Sequence, residues 1–230
     1  MLSAFRKRGS RYEYSVALRC LITAGPTREF LDPVRFLSNP STGKMGFALA
    51  AAARERGWTV DLVAGPVNLP EPEGVVLYPV VSAEQMLHQV DGLFGACDIF
   101  IATAAVSDWR PLAPQAQKIK REAGVPKLEL EACPDILKIM SSRRTSQQLL
   151  VGFAAETTDI EKHAQHKLVA KGLDFIAANT VSGPGSAFGA DTNRLVVLGR
   201  DGSRVVLGPA AKSVVARDLI AHLAAHLVAR

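Results

Sequence analysis

The chain has 230 residues, 48% of them hydrophobic, and a formal net charge of +5. That composition excludes a disordered chain and supplies enough apolar material for a sizeable core. Three cysteines, an odd number with no Cys-x-x-Cys pair, argue against a disulfide framework and for a reduced, cytoplasmic protein with buried thiols.

The charge is unevenly placed. Arg6, Lys7, Arg8 and Arg11 fall in the first twelve residues, which hold no acid; without those four, the 27 basic residues come almost level with the 22 acidic ones. Residues 1–16 therefore read as a basic, flexible tail, with no apolar core of the signal-peptide kind. Residues 17–230 read as a single domain. No apolar stretch reaches the length that spans a membrane, so no membrane association is expected.

Along the domain, strand-like runs at Ala17–Ala24, Thr59–Val63, Val75–Val80, Ile99–Thr103, Leu149–Phe153 and Phe175–Ala178 alternate with helical patterns. The helical patterns cover Gly43–Arg56, Ala83–Phe94, Pro134–Ser142, Asp159–Lys171 and Ala210–Val228. This rhythm predicts an α/β fold, a Rossmann-like and mostly parallel sheet flanked by helices, with ligands beyond the carboxyl ends of the strands. Two excursions interrupt it. Residues 104–133 contain three prolines, a basic cluster and a short alternating piece at Lys127–Glu131. Residues 183–208 open on Gly-Pro-Gly and place Leu195–Leu198 and Val205–Leu207 around Asp201-Gly202, a hairpin signal. Both excursions are expected to form a small antiparallel extension of the kind that pairs two subunits.

The first strand runs into Thr23-Ala-Gly-Pro-Thr-Arg-Glu29 and then Asn39-Pro-Ser-Thr-Gly43-Lys44. A strand, a loop of small polar residues and a helix start present free backbone N–H groups and the positive end of a helix dipole to an anion. The bland reading makes Ser41 or Thr42 a helix cap. It leaves Arg28, Arg35, Asn39 and Lys44, gathered around one loop, unaccounted for. Ala104 and Ala105 end a buried strand with little bulk, which admits a ligand to the backbone. Asp108 follows at the strand end, either as a turn aspartate or as a partner for a hydroxyl, a base amine or a hydrated metal ion. Lys118 and Lys120 share one side if extended, as a solvated run or as a triphosphate contact. Phe153 suits either the core or a base, and Lys167 and Lys171 lie on one helix face. The histidines form no metal pattern, and neither a Gly-x-Ser-x-Gly elbow nor a complete P-loop occurs. Chemistry driven by positioning and charge neutralisation fits these residues better than a covalent nucleophile.

Taken together, Thr23–Glu29, Asp32-Pro-Val-Arg-Phe36, Ser38–Gly46, Ala104–Pro111, Lys118-Ile-Lys120, Pro134-Asp-Ile-Leu137 and Val151–Thr157 resemble phosphopantothenoylcysteine synthetase, in that family's order and over about residues 17–225. The resemblance implies a phosphopantothenate–cysteine ligase of coenzyme A biosynthesis. In that reaction CTP or ATP converts 4′-phosphopantothenate to an acyl nucleotidylate, and L-cysteine then forms the amide. It implies Mg²⁺ with the nucleotide, no flavin, a homodimer and a separate decarboxylase partner, since the chain is too short to hold that domain. It implies Asn39, Arg35 and Lys118 as catalytic residues. Asn39, Gly43, Ala104 and Ala105 then contact the substrate, and Gly25, Asp108, Lys118, Phe153, Lys167 and Lys171 the nucleotide. Cys133 stands where many bacterial members have asparagine. Three other readings compete. A nicotinamide-dependent oxidoreductase would need an acid at the end of the second strand, which ends at Ala64-Gly65-Pro66. A nucleic-acid-binding module would rest on the basic tail alone, and the flavin-dependent decarboxylase would need a flavin site that no motif signals.

Overall fold

The computed structural model describes residues 17–180 and 189–228; the basic tail expected at 1–16 and the Gly-Pro-Gly opening of the second excursion lie outside them. Twelve strands and five helices follow in chain order. They are β1 (Arg19–Ala24), β2 (Arg28–Phe30), β3 (Phe36–Ser38), α1 (Lys44–Glu55), β4 (Thr59–Ala64), β5 (Val76–Pro79), α2 (Ala83–Phe94), β6 (Ile99–Ala102), β7 (Trp109–Pro111), β8 (Leu130–Ala132), α3 (Ile136–Arg143), β9 (Leu149–Glu156), α4 (Ile160–Ala170), β10 (Phe175–Thr180), β11 (Thr192–Gly199), β12 (Arg204–Ala211) and α5 (Lys212–Val228).

Eight strands form one sheet in the order β12-β11-β10-β9-β6-β1-β4-β5. Every pairing from β10 to β5 is parallel. Strand order reverses between β1 and β6, so the crevice of a doubly wound fold opens beyond Ala24 and Ala102. Both faces are covered, which is why the parallel strands read as unbroken apolar runs. Cys20, Ile22, Ile99, Ile101, Leu149 and Val151 point to one side, under α1 and α5. Leu21, Phe100, Leu150 and Ile176 point to the other, under α2, α3 and α4. Fully burying one such side chain contributes on the order of 2 kcal/mol.

The expected helices and parallel strands agree with the structure to within a few residues. The two excursions part company. Residues 109–132 do form a separate antiparallel pair, β7–β8, beside a second short pair, β2–β3. The second excursion instead extends the main sheet, because β11 pairs antiparallel with β10 along Phe175–Ala178 and β12 pairs with β11. Its turn is the Asp201-Gly202 pair: Gly202 takes φ 83°, and Asp201 accepts a hydrogen bond from the Ser203 amide at 2.9 Å. The inward faces of β11 and β12 complete both cores, so this hairpin is not an exposed layer.

Candidate active site

The loop after β1 is stitched to the loop after β6. The Ala105 amide donates to the Gly25 carbonyl at 2.9 Å, and the Ser107 amide to Thr27 Oγ1 at 2.9 Å. Asn39 comes in from the end of the β2–β3 hairpin. Its Nδ2 donates to the carbonyls of Ala105 (3.1 Å) and Val106 (3.2 Å), which fixes the side chain over the β6 loop. An aspartate there would set a carboxylate against two carbonyl oxygens.

Helix α1 starts in the same crevice without a side-chain cap. Gly43 is its N-cap residue at φ 75°, and the Ser41 hydroxyl accepts from the Gly43 amide at 3.4 Å without reaching into the first turn. Neither Ser41 nor Thr42 therefore caps the helix, and the amides of the first turn keep their capacity for a ligand. Gly46 permits this close approach: a Cβ there would lie 2.5 Å from Ala24 Cβ, so a side chain would push the helix off β1.

Two adjoining cavities result. The larger, about 420 Å³, is lined by Asn39, Ala104, Ala105, Asp108, Cys133 to Leu137, Phe153, Lys167 and Lys171. The smaller, about 110 Å³, lies against the Ser41–Gly46 turn, Gly25 and Thr103, and is closed by Asn179, Asn193 and Lys212. Ala104, Ala105, Phe153 and Ala155 line both. Phe153 thus stands half-buried at the junction, and the small alanines keep the passage open.

Each cation of the larger cavity has an acid beside it. Lys167 Nζ lies 2.7 Å from Glu156 Oε1, and Lys171 Nζ lies 2.9 Å from Asp135 Oδ2. Asp135 also caps α3 by accepting the Lys138 amide at 3.1 Å. Asp108 is exposed at the rim, and its carbonyl accepts the Cys133 amide at 2.9 Å, so the loops after β6 and β8 move together. Burial, then the charge of Glu29, pushes the Cys133 thiol up to about 11, so the cavity holds a neutral thiol at neutral pH.

Nine of the eleven residues that the resemblance assigns to the site line the two cavities, namely Gly25, Asn39, Gly43, Ala104, Ala105, Asp108, Phe153, Lys167 and Lys171, and Lys44 lines the smaller one beside them. Lys118 and Arg35 do not. Lys118 lines a third cavity of about 580 Å³ with Lys120, Lys127 and Leu31, which shares no residue with the first two. Arg35 is turned to Asp32, to which its Nε donates at 2.9 Å, and its Nη2 donates to the Ile119 carbonyl at 2.8 Å. Buried Asp32 also accepts the amides of Val34 (2.8 Å), Arg35 (2.9 Å) and Ile119 (3.2 Å). One carboxylate therefore ties the β2–β3 turn to the loop that carries Lys118. The Arg35 guanidinium, followed by these amides, holds the Asp32 carboxyl well below the usual carboxylate range. On one chain, the residues that the resemblance assigns to one reaction thus occupy two separate places.

Sequence reasoning missed Asn179, Asn193 and Lys212, which come from β10, β11 and the start of α5. The one signal for Lys212 is a cation at the first position of a helix, where the dipole disfavours it.

A family model, the DNA/pantothenate metabolism flavoprotein C-terminal domain, matches residues 16–227. The chain belongs to this family. It is 47% identical over 206 residues to the coenzyme A biosynthesis bifunctional protein CoaBC of Bacillus subtilis, covering 89% of this chain and 50% of that protein. It is 44% identical over 192 residues to the protein of the same name from Escherichia coli K12, covering 82% and 47%. The chain thus spans about half the length of the curated relatives it matches. Among solved structures, the C-terminal domain of a coenzyme A biosynthesis bifunctional protein CoaBC superposes with a TM-score of 0.79 at 39% identity, over 93% of this chain and 97% of that one. Among the described residues, no helix is long and apolar enough to cross a membrane.

Proposed function

We propose that this chain is a phosphopantothenate–cysteine ligase of coenzyme A biosynthesis. The observation that carries the reading is the pair of adjoining cavities at the strand-order reversal, walled by the family's own motifs. The reaction has two displacements. The carboxylate of 4′-phosphopantothenate attacks the α-phosphorus of CTP or ATP, and pyrophosphate leaves. The amine of L-cysteine then attacks the acyl carbonyl, the nucleoside monophosphate leaves, and an amide remains.

Both displacements bring anions or dipoles together, so the site must align groups and neutralise charge. Asp108, the Cys133–Leu137 segment and Phe153 suit a base and ribose, and Lys167 and Lys171 suit phosphate oxygens. The Ser41–Gly46 turn supplies unused amides. Ala104 and Ala105 offer a flat, small wall for the pantothenate arm, and Asn39, already anchored, faces the same space. The thiol of Cys133 has no nucleophilic part in this scheme.

Among the described residues no group of three or more His, Cys, Asp or Glu side chains is placed to hold a metal ion. Mg²⁺ arriving with the triphosphate would be held mainly by phosphate oxygens and water, and Asp108, exposed at the rim of the larger cavity, is a carboxylate that could serve it. Such an ion offsets phosphate charge.

The short sheets support a homodimer. Val34, Phe36, Trp109, Leu112, Leu128 and Leu130 are all at least 40% exposed, and all belong to β2–β3, β7–β8 or their loops. An apolar surface concentrated on one layer marks an interface. Arg35 and Lys118 ride on this layer, so their assigned roles require the dimer or a loop movement. The bifunctional relatives fit a decarboxylase acting beside this chain.

The test supplies 4′-phosphopantothenate, L-cysteine and either CTP or ATP, and measures pyrophosphate and product mass. One nucleotide should give pyrophosphate and 4′-phosphopantothenoylcysteine in equal amounts. No pyrophosphate with either one would sink the reading.

A further inference from the structure

The Val106–Ser107 peptide is held from both sides. Its N–H donates to Thr27 Oγ1 at 2.9 Å, and its C=O accepts Asn39 Nδ2 at 3.2 Å. A peptide unit is planar, so fixing the N–H fixes the direction of the C=O. Thr27 is fully buried and lines neither cavity of the crevice. From there it aims one of the two carbonyls that hold Asn39. Its backbone serves the other: the Thr27 amide donates at 3.3 Å to the Ala105 carbonyl, which accepts Asn39 Nδ2 at 3.1 Å. The Thr27 carbonyl in turn accepts the hydroxyl of Ser38, the residue before Asn39, at 2.7 Å. All three polar groups of one residue therefore converge on the placement of Asn39.

Asn39 needs such support. It follows β3, a three-residue strand that pairs with the equally short β2, and a two-stranded hairpin is marginal alone. Strand β1 lies between both cores, and Thr27 ties the hairpin end to the loop that β1 carries. The same bonds select the atom that Asn39 offers. Its Nδ2 donates to two carbonyls, so Oδ1, which can only accept, is left for a ligand. The two displacements of the ligase reaction differ in this respect. The attacking carboxylate has no hydrogen to give, whereas the attacking amine of L-cysteine does.

We propose that Thr27 is a positioning residue for the amide-forming step, setting Asn39 Oδ1 where the cysteine amine approaches the acyl carbonyl. The inference rests on the ligase reading and on the place of Asn39 in it. Within the Thr23–Glu29 motif the resemblance assigns a role to Gly25 alone. Thr27 touches no substrate and acts through the Asn39 side chain. The first displacement depends on charge neutralisation by lysines and backbone amides, so loosening Asn39 separates the two displacements. A misplacement of about 1 Å at a reacting centre is worth on the order of 100-fold in rate.

The experiment follows both displacements by rapid quench and mass spectrometry in wild type, Thr27→Val, Thr27→Ser and Ser38→Ala, with circular dichroism to follow the fold. Valine keeps the shape of threonine and removes Oγ1, whereas serine keeps the hydroxyl. Thr27→Val should release pyrophosphate within about threefold of wild type but form the amide at least about tenfold more slowly, so that acyl nucleotidylate accumulates. Thr27→Ser should keep both steps within about threefold of wild type. Ser38→Ala, at an exposed position, should slow the amide step alone by about threefold. Equal slowing of both steps in folded Thr27→Val, or no slowing, overturns the proposal. If that variant does not fold, an unchanged amide step in Ser38→Ala does so. A second readout needs no substrate: the side-chain amide signals of Asn39 in proton–nitrogen correlation spectra, identified by their loss in Asn39→Ala. They should move in Thr27→Val while those of Asn179 stay in place. If wild type makes product and the Asn39 signals do not move, the positioning role falls and the ligase stands. If wild type makes no pyrophosphate and the signals do move, the ligase falls, and the amide step with it, while the hold of Thr27 on Asn39 stands.

Discussion

In the crevice, the candidate groups are held by strand ends and helix starts that the two main cores support. In the layer of β2–β3 and β7–β8, Arg35 and Lys118 sit in the loops between three-residue strands whose apolar side chains face outward. Asn39 is fixed by two carbonyls and Lys167 and Lys171 by carboxylates, so the crevice is organised before any ligand arrives. In the layer, Arg35 is held by Asp32 and the Ile119 carbonyl and Arg28 stacks 4.7 Å over the Phe36 ring, while Glu29 accepts from the Ala83 amide at 2.8 Å and Arg110 pairs with Glu84, which ties the layer to the start of α2. A single chain therefore organises the crevice, while Arg35 and Lys118 stand apart from it.

The sharpest way to break that contrast is Lys118→Ala. On the ligase reading it should slow pyrophosphate release about 100-fold, the cost of losing one donor to developing charge, while nucleotide binding in the crevice persists. A normal burst of pyrophosphate would confine Lys118 to the surface. Next comes Leu130→Lys, which changes an exposed side chain that lines neither of the two cavities. Light scattering across a dilution series should show dimer dissociation raised on the order of thirtyfold. A dimer as tight as wild type would move the interface elsewhere.

In the crevice, Cys133 should react with iodoacetamide at pH 7 at least about tenfold more slowly than a free thiol, because its pKa is pushed up to about 11. Rapid alkylation, read by mass spectrometry, would mean a more open cavity. The smallest change is expected from Asp32→Asn. The folded carboxyl of Asp32 is depressed, so its contribution is complete above the ordinary carboxylate range and is lost as pH falls through the lower folded value. Urea midpoints of wild type and variant should differ by a constant amount from about pH 8 to about pH 5 and by progressively less as pH falls below about 4. Convergence at neutral pH would mean that the carboxylate does not tie the layer together.

The same contrast explains what was legible in the sequence. Runs such as Ile99–Ala102 and the period of Ala83–Phe94 are long enough for burial alone to specify them. The strands β2, β3, β7 and β8 have three residues each, too few for a period to show. Asp201-Gly202 announced a hairpin, but its place beside β10 depends on register against Phe175–Ala178, which no local pattern carries. Residues of the crevice that share a motif, such as Ala104 with Asp108, were legible. Asn179, Asn193 and Lys212 meet only because the sheet brings three distant segments to one end. Arg35 stands apart for the opposite reason: it is close to Asn39 in the chain but is drawn away by Asp32.

The packing of α5 on α1 has a consequence for how the protein is made. Phe47, Leu49, Ala50 and Ala53 leave the ribosome well before their cover, Val215 to Leu223, which is synthesised some 165 residues later. Until then the start of α1 has an uncovered greasy flank and no Lys212 opposite it. The start of α1 is thus translated well before its cover, so nascent chains stalled before α5 should need chaperone protection on that face.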